Sequence, residues 1–156
     1  AAEIVTARGS AEQQRMAAEL WAGTLDTPEK LRRYYDVMGP LYARSHDAQK
    51  AGMARDRGIL SPEALNRAFA PGGFLRRFDL RPELKNITAP TLIIGGQHDW
   101  ICAPEFSAEI HQLIPGSKLQ IFEQSSHSIR ADEPERLMAA IANFIAGPPD
   151  QPAKPS

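Results

Sequence analysis

Two residues in this chain have the types and the spacing for proton-transfer chemistry. Asp99 follows the apolar run Thr91-Leu92-Ile93-Ile94, and His127 follows a second run, Leu119-Gln120-Ile121-Phe122. About twenty residues between such runs accommodate one crossover helix, which makes the strands parallel neighbours and brings the loops after them to one edge of a sheet. Active sites of α/β proteins sit at that edge. A carboxylate there accepts the imidazole Nδ1 proton, fixes the tautomer and stabilises the imidazolium, leaving Nε2 to take a proton from a nucleophile. Each residue taken alone has a plainer reading. Set among Gln124, Ser125, Ser126 and Ser128, His127 reads as a surface histidine, and Asp99 reads as a turn former or helix cap. Their matching places after consecutive strands favour the paired role.

The neighbouring side chains add less. Trp100 and Ile101 are candidates for the wall of an acyl pocket, with core packing an equal alternative. Cys102 reads as a small buried side chain near the site, and a nucleophilic role for it needs a base that His127 already supplies elsewhere. His98 reads as a solvated turn residue, His111 as exposed on the polar side of its helix, and His46 has no identifiable partner. One cysteine and four scattered histidines give no Cys-rich metal spacing, so no metal ligands are assigned. Acid–imidazole chemistry calls for no cofactor.

The elements that position Asp99 and His127 are legible from turn residues and apolar periodicity. From Pro90 onward the pattern is strand, helix, strand, helix. Thr91 to Gly95 is bounded by Pro90 and Gly95-Gly96, as for a strand covered on both faces. Pro104 opens a helix with Phe106, Ile110, Leu113 and Ile114 on one stripe, closed by Pro115-Gly116. Lys118 to Phe122 is the second strand. Asp132 with Glu135 resembles a capping box ahead of the stripe Leu137, Ile141, Phe144 and Ile145, which ends at Gly147-Pro148-Pro149.

The first ninety residues read as short helices. Ser10 and Gln13 fit a capping box, Met16, Leu20 and Trp21 follow as an apolar stripe, and Gly23 ends it. Thr27-Pro28 opens a second helix whose Leu31, Tyr34, Tyr35 and Met38 form a stripe that docks it on the core, with Gly39-Pro40 as the stop. A weaker third helix is expected over 41–55. A fourth starts at Ser61-Pro62 and carries Leu65, Ala68 and Phe69 up to Pro71-Gly72-Gly73. Two parallel strands do not make a self-sufficient sheet, because open apolar edges need neighbours.

Bulk properties exclude some classes. The formal net charge is -1, split between 14 Lys and Arg against 11 acids over residues 1–89 and 4 against 8 over 90–156. The arginines of the first part are interleaved with Asp36, Asp47, Asp56 and Asp79, so there is no basic stripe for a nucleic acid. No apolar run approaches the roughly 18 residues of a membrane span. The opening Ala1-Ala2-Glu3-Ile4 has no initiator Met, and the chain reads as processed, trimmed or cut from something longer.

The stretch from Leu84 to Asp99, with Asn86-Ile87-Thr88-Ala89-Pro90 ahead of the first strand, then Ile114-Pro115-Gly116-Ser117, Ser126-His127 and Glu133-Pro134-Glu135, resembles the C-terminal half of an α/β-hydrolase of the prolyl iminopeptidase-like branch. The resemblance is close over about 80–146 and looser before that. It implies an α/β fold with parallel strands and crossover helices, an incomplete sheet, a helical lid over 1–79, the C-terminal part of the core over 80–146 and a disordered tail over 147–156. In such enzymes the chain order is Ser, Asp, His, and Asp99 and His127 fit the second and third places. No Gly-x-Ser-x-Gly occurs: Gly9-Ser10 runs into Ala11-Glu12, and Gly116-Ser117 into Lys118-Leu119.

The nucleophile and oxyanion hole are therefore expected on an N-terminal half, from the same precursor or a companion chain, and this chain alone is expected to be inactive. The implied activity is acyl hydrolysis, of the aminopeptidase type, with ester or carbon–carbon bond hydrolysis as the alternative chemistry. A non-catalytic binding module and a proteolytic fragment are the other readings. The implied partners are that N-terminal half and a small-molecule or peptide substrate, in a cytoplasmic setting. The branch holds the substrate's free amino terminus with lid carboxylates, for which Glu12, Glu19, Asp26 and Glu29 are available without a match to any one.

Overall fold

The computed structural model describes residues 1–147, and the expected tail beyond Gly147 lies outside them. Five helices come first: α1 (Ala2–Arg8), α2 (Ala11–Ala22), α3 (Pro28–Tyr42), α4 (Ala48–Asp56) and α5 (Pro62–Phe69). Two 3₁₀ turns lead to β1 (Leu92–Gly96), α6 (Pro104–Leu113), β2 (Lys118–Phe122), α7 (Ile129–Asp132) and α8 (Pro134–Ala146). The strands are parallel, in register from Leu92 opposite Lys118 to Gly96 opposite Phe122. With α6 as the crossover, their C-terminal ends open on one edge, as the spacing required.

Local chemistry sets several boundaries as expected. Ser10 Oγ accepts the Gln13 N–H while the Gln13 side chain accepts the Ser10 N–H, and α2 closes at Gly23 in the left-handed region. Thr27 and Ser61 cap their helices as expected, each accepting an N–H three residues on, and Asp47, not singled out from the sequence, caps α4 in the same way; each is worth about 1 kcal/mol.

Tertiary contacts overrode other local signals. Gly39-Pro40 does not stop α3, which runs to Tyr42. Proline removes an interior hydrogen bond, but the extra turn places the Tyr42 hydroxyl 2.9 Å from that of Tyr34 and its ring edge-on to Trp100. Gly39 is buried under His46, and a Cβ at that position would overlap the His46 ring. The third helix is α4, beginning at Ala48 rather than Leu41, because Ser45 is tied to α7. Helix α1, without a cap or a strong stripe, has no counterpart in the sequence reading.

The buried core lies among the early helices: Val5, Met16, Ala17, Leu20, Leu25, Leu31, Tyr34 and Met38 form one cluster. Trp100 joins it from the loop after β1, so the site-bearing loop is anchored in the helical layer. The sheet is less covered than a doubly buried strand requires. In β1 only Ile93 of the three large apolar residues is buried, and Phe106 and Ile110 of α6 remain 48% and 38% exposed. Ile114 of the same stripe is buried, but no layer within the described residues covers Phe106 and Ile110.

Candidate active site

Asp99 and His127 meet at the strand ends. The His127 Nδ1 lies 2.8 Å from Asp99 Oδ2. An ionised carboxylate only accepts, so Nδ1 carries the proton and Nε2 keeps its lone pair. Among the described residues no group bonds Nε2. The two environments differ: the Asp99 side chain is 7% exposed and that of His127 is 39% exposed. The acid is held inside while the imidazole reaches solvent.

Backbone geometry fixes the acid. Asp99 Oδ1 accepts the N–H groups of Ile101 at 2.8 Å and Cys102 at 3.0 Å, a turn that aims Oδ2 at the histidine. Burial is the largest single influence on Asp99 and opposes its ionisation, but the His127 hydrogen bond and those two N–H groups outweigh it. The net effect holds its carboxyl below the ordinary value. For His127 the hydrogen bond to Asp99 comes first and outweighs desolvation, so the imidazole is held above its ordinary value.

The histidine loop is pinned from three sides. Gly96 lets it cross the end of β1, since a Cβ there would overlap the Ser126 carbonyl and lie 2.9 Å from that of Ser125. Ser126 Oγ donates to the Leu41 carbonyl at 2.5 Å, and Ser128 N–H donates to the Tyr42 carbonyl at 2.8 Å. Asp132 is not the helix cap that its spacing from Glu135 suggests. Its Oδ2 accepts the Ser126 N–H at 2.8 Å, and its Oδ1 accepts the Ser45 N–H and hydroxyl at 2.8 and 2.7 Å. One carboxylate thus ties the histidine loop to the segment after α3. Glu133 ties the loop to the start of α8 instead, accepting the Gln124 N–H and the Ser125 hydroxyl.

These second contacts were not legible in the sequence. Polar serines around His127 suggested solvent, yet Ser125 and Ser126 are buried at 0% and 3% exposure, because each hydroxyl has a partner supplied by a distant element. Tyr42 was also missed. Its ring stands edge-on to His127 with centroids 5.7 Å apart, and burial together with Tyr34 keeps its hydroxyl protonated.

The weaker candidates separate. Trp100 is 2% exposed within the core cluster and Ile101 packs against that cluster. Cys102, expected to be buried, is an exposed residue, and the Asp99 turn bonds its backbone N–H. Partial burial and the Asp99 carboxylate hold the thiol above its ordinary pKa. His111 is half-buried rather than free, with Nδ1 2.8 Å from Ser117 Oγ. A cleft of about 840 Å³ opens beside the histidine loop, lined by Tyr42, His46, Lys50, Ser128 and Arg130 among others. None of Glu12, Glu19, Asp26 and Glu29 lines it. Glu12 instead pairs with Arg33 and Asp26 with Lys30.

No protein-family model matches the chain. It is 30% identical over 123 residues to the proline iminopeptidase PfmaB of Pestalotiopsis fici, covering 79% of this chain and 43% of that protein. It is also 30% identical over 129 residues to the proline iminopeptidase of Heyndrickxia coagulans, covering 79% and 44%. Among solved structures, an esterase from Exiguobacterium antarcticum superposes with a TM-score of 0.64 at 26% identity, over 86% of this chain and 48% of that one. The chain belongs to the α/β-hydrolase superfamily, in its prolyl iminopeptidase-like branch, and matches the C-terminal half of that fold. It spans less than half the length of these curated relatives.

Proposed function

We propose that this chain is the catalytic C-terminal half of an acyl hydrolase, with α1 to α5 as its lid. The reading rests on one observation, the 2.8 Å contact between a buried, backbone-anchored Asp99 and a solvent-reaching His127 at the ends of adjacent parallel strands. Asp99 orients His127 and stabilises its imidazolium. His127 Nε2 removes the proton from a serine hydroxyl as it attacks the substrate carbonyl, then returns that proton to the leaving group. A serine in a Gly-x-Ser-x-Gly turn and the oxyanion donors come from an N-terminal half that packs on the uncovered sheet. This chain, which has no such motif, does not turn over by itself.

The similarity to two proline iminopeptidases supports cleavage of an amide at a free amino terminus. A second reading, ester hydrolysis, is favoured by the esterase superposition. No described helix is long and apolar enough to cross a membrane, and we propose a cytoplasmic setting.

The test is to assemble the chain with its N-terminal half and assay a prolyl anilide beside a short-chain nitrophenyl ester. His127→Ala is expected to lower the rate by about 10²- to 10⁴-fold. Retention of more than about a hundredth of the rate refutes the general-base role.

A further inference from the structure

We propose that Asp99, Cys102 and His127 together form a binding site for a thiophilic divalent cation, Zn²⁺, and that an occupied site switches the histidine off. The second half of this statement rests on the general-base reading of His127; the first does not. The carboxylate oxygen, the thiol sulfur and a ring nitrogen all lie within 4.8 Å of one another. These are the three donor types from which zinc sites are built. Bond lengths of about 2.0–2.3 Å at a tetrahedral centre place donor atoms about 3.3–3.8 Å apart. The 2.8 Å separation of Asp99 and His127 opens slightly to meet this, and a rotation about the Cys102 Cα–Cβ bond, at an exposed residue outside any disulfide, closes the remainder.

The turn that presents Asp99 is also what presents the sulfur. Asp99 Oδ1 is held by the N–H groups of Ile101 and Cys102, so residues 99 and 102 leave one tight loop on the same side as the incoming histidine. Three protein donors leave a fourth position for water or a substrate group. The proton balance is explicit. In the metal-free chain the thiol is protonated; Zn²⁺ forms the metal–sulfur bond as that proton leaves to solvent, because a coordinating thiol ionises.

Either ring nitrogen gives the same outcome for His127. A metal on Nε2 takes the lone pair that would accept the serine proton. A metal on Nδ1 displaces the proton shared with Asp99 and moves the tautomer to Nε2–H, which has no lone pair to accept with. The site thus couples a metal and a proton at one imidazole.

The experiment titrates Zn²⁺ into the full chain by calorimetry and Co²⁺ by absorption, with Cys102→Ser, His127→Gln and the control His111→Gln, whose histidine bonds Ser117 away from the cluster. One equivalent is expected, with a near-ultraviolet sulfur-to-cobalt band in the unaltered chain that is absent in C102S. C102S and H127Q are each expected to bind Zn²⁺ more than about tenfold more weakly, since even loss of a supporting contact to a ligand costs that much. H111Q is expected to match the unaltered chain. Absence of the band, or affinity unchanged in both C102S and H127Q, overturns the site; the band needs no variant to fold. In the assembled enzyme Zn²⁺ is expected to suppress turnover and a chelator to restore it. Binding without suppression overturns the switch alone, and an assembled enzyme with no turnover bears on the hydrolase reading, leaving the binding measurements to stand.

Discussion

Replacing Asp132 by Ala removes a single carboxylate from the junction between the histidine loop and the segment after α3. Three hydrogen bonds go with it: from Ser126 N–H at 2.8 Å, Ser45 N–H at 2.8 Å and Ser45 Oγ at 2.7 Å. The donors are not equivalent. Ser45 is exposed and its groups turn to water, so their loss is discounted, whereas Ser126 is 3% exposed and its N–H is left without a partner. An orphaned buried donor costs about 1–3 kcal/mol and a bond to a charged acceptor contributes about 1.5–3 kcal/mol. With the Ser45 bonds set near zero, the expected loss is about 2–3 kcal/mol. Urea denaturation of the chain measures it, and His127 proton resonances report whether the loop has moved.

The pH dependence supplies a check on the cause. Burial raises the Asp132 carboxyl, but the N–H groups of Ser126 and Ser45 outweigh it and hold the group below its ordinary value. A carboxylate depressed by folding contributes stability above its unfolded pKa and loses it as pH falls through the folded one. The gap between the unaltered chain and D132A is therefore expected to narrow below about pH 4. Asp132→Asn, which keeps one acceptor oxygen, is expected to fall between the two. A loss in D132A of less than about 0.5 kcal/mol, the range of an ordinary surface substitution, refutes the clamp.

Two further outcomes follow from the same loops. Asp99→Asn is expected to lower the His127 pKa, read by proton NMR titration, because Asp99 is the leading cause of its elevation; an unchanged pKa sinks the pairing. In the same view the stability that His127 draws from Asp99 is fully present below its unfolded pKa and fades as pH rises through the raised folded value. Gly96→Ala is expected to destabilise by about 1–3 kcal/mol in thermal or urea melts, since the new Cβ meets the Ser126 and Ser125 carbonyls rather than flexible side-chain ends. An unaffected midpoint would mean that the histidine loop does not lie across the strand end.

Elements whose signals are local were legible without coordinates. Ser10 and Gln13 satisfy each other's backbone groups within one turn, and Thr27-Pro28 and Ser61-Pro62 start helices wherever the chain is placed. The strand–helix–strand spacing determined that Asp99 and His127 leave parallel strands at the same edge, because a crossover helix returns the chain to run in the same direction and puts both C-terminal ends together.

What depended on distant partners was not legible. The stop at Gly39-Pro40 failed once Tyr42 found Tyr34 and Trp100, and Asp132 gave up a cap for Ser126 and Ser45, more than eighty residues away in the latter case. Phe106 and Ile110 show the converse, an apolar stripe correctly placed but with no covering layer among the described residues. The sequence by itself determined which residues offer an acid and an imidazole and at which end of the strands they emerge, since covalent spacing and pleat set both. Only the tertiary structure decided that the carboxylate is buried and the ring exposed, because burial depends on which other segments pack against a loop, and no local pattern encodes that.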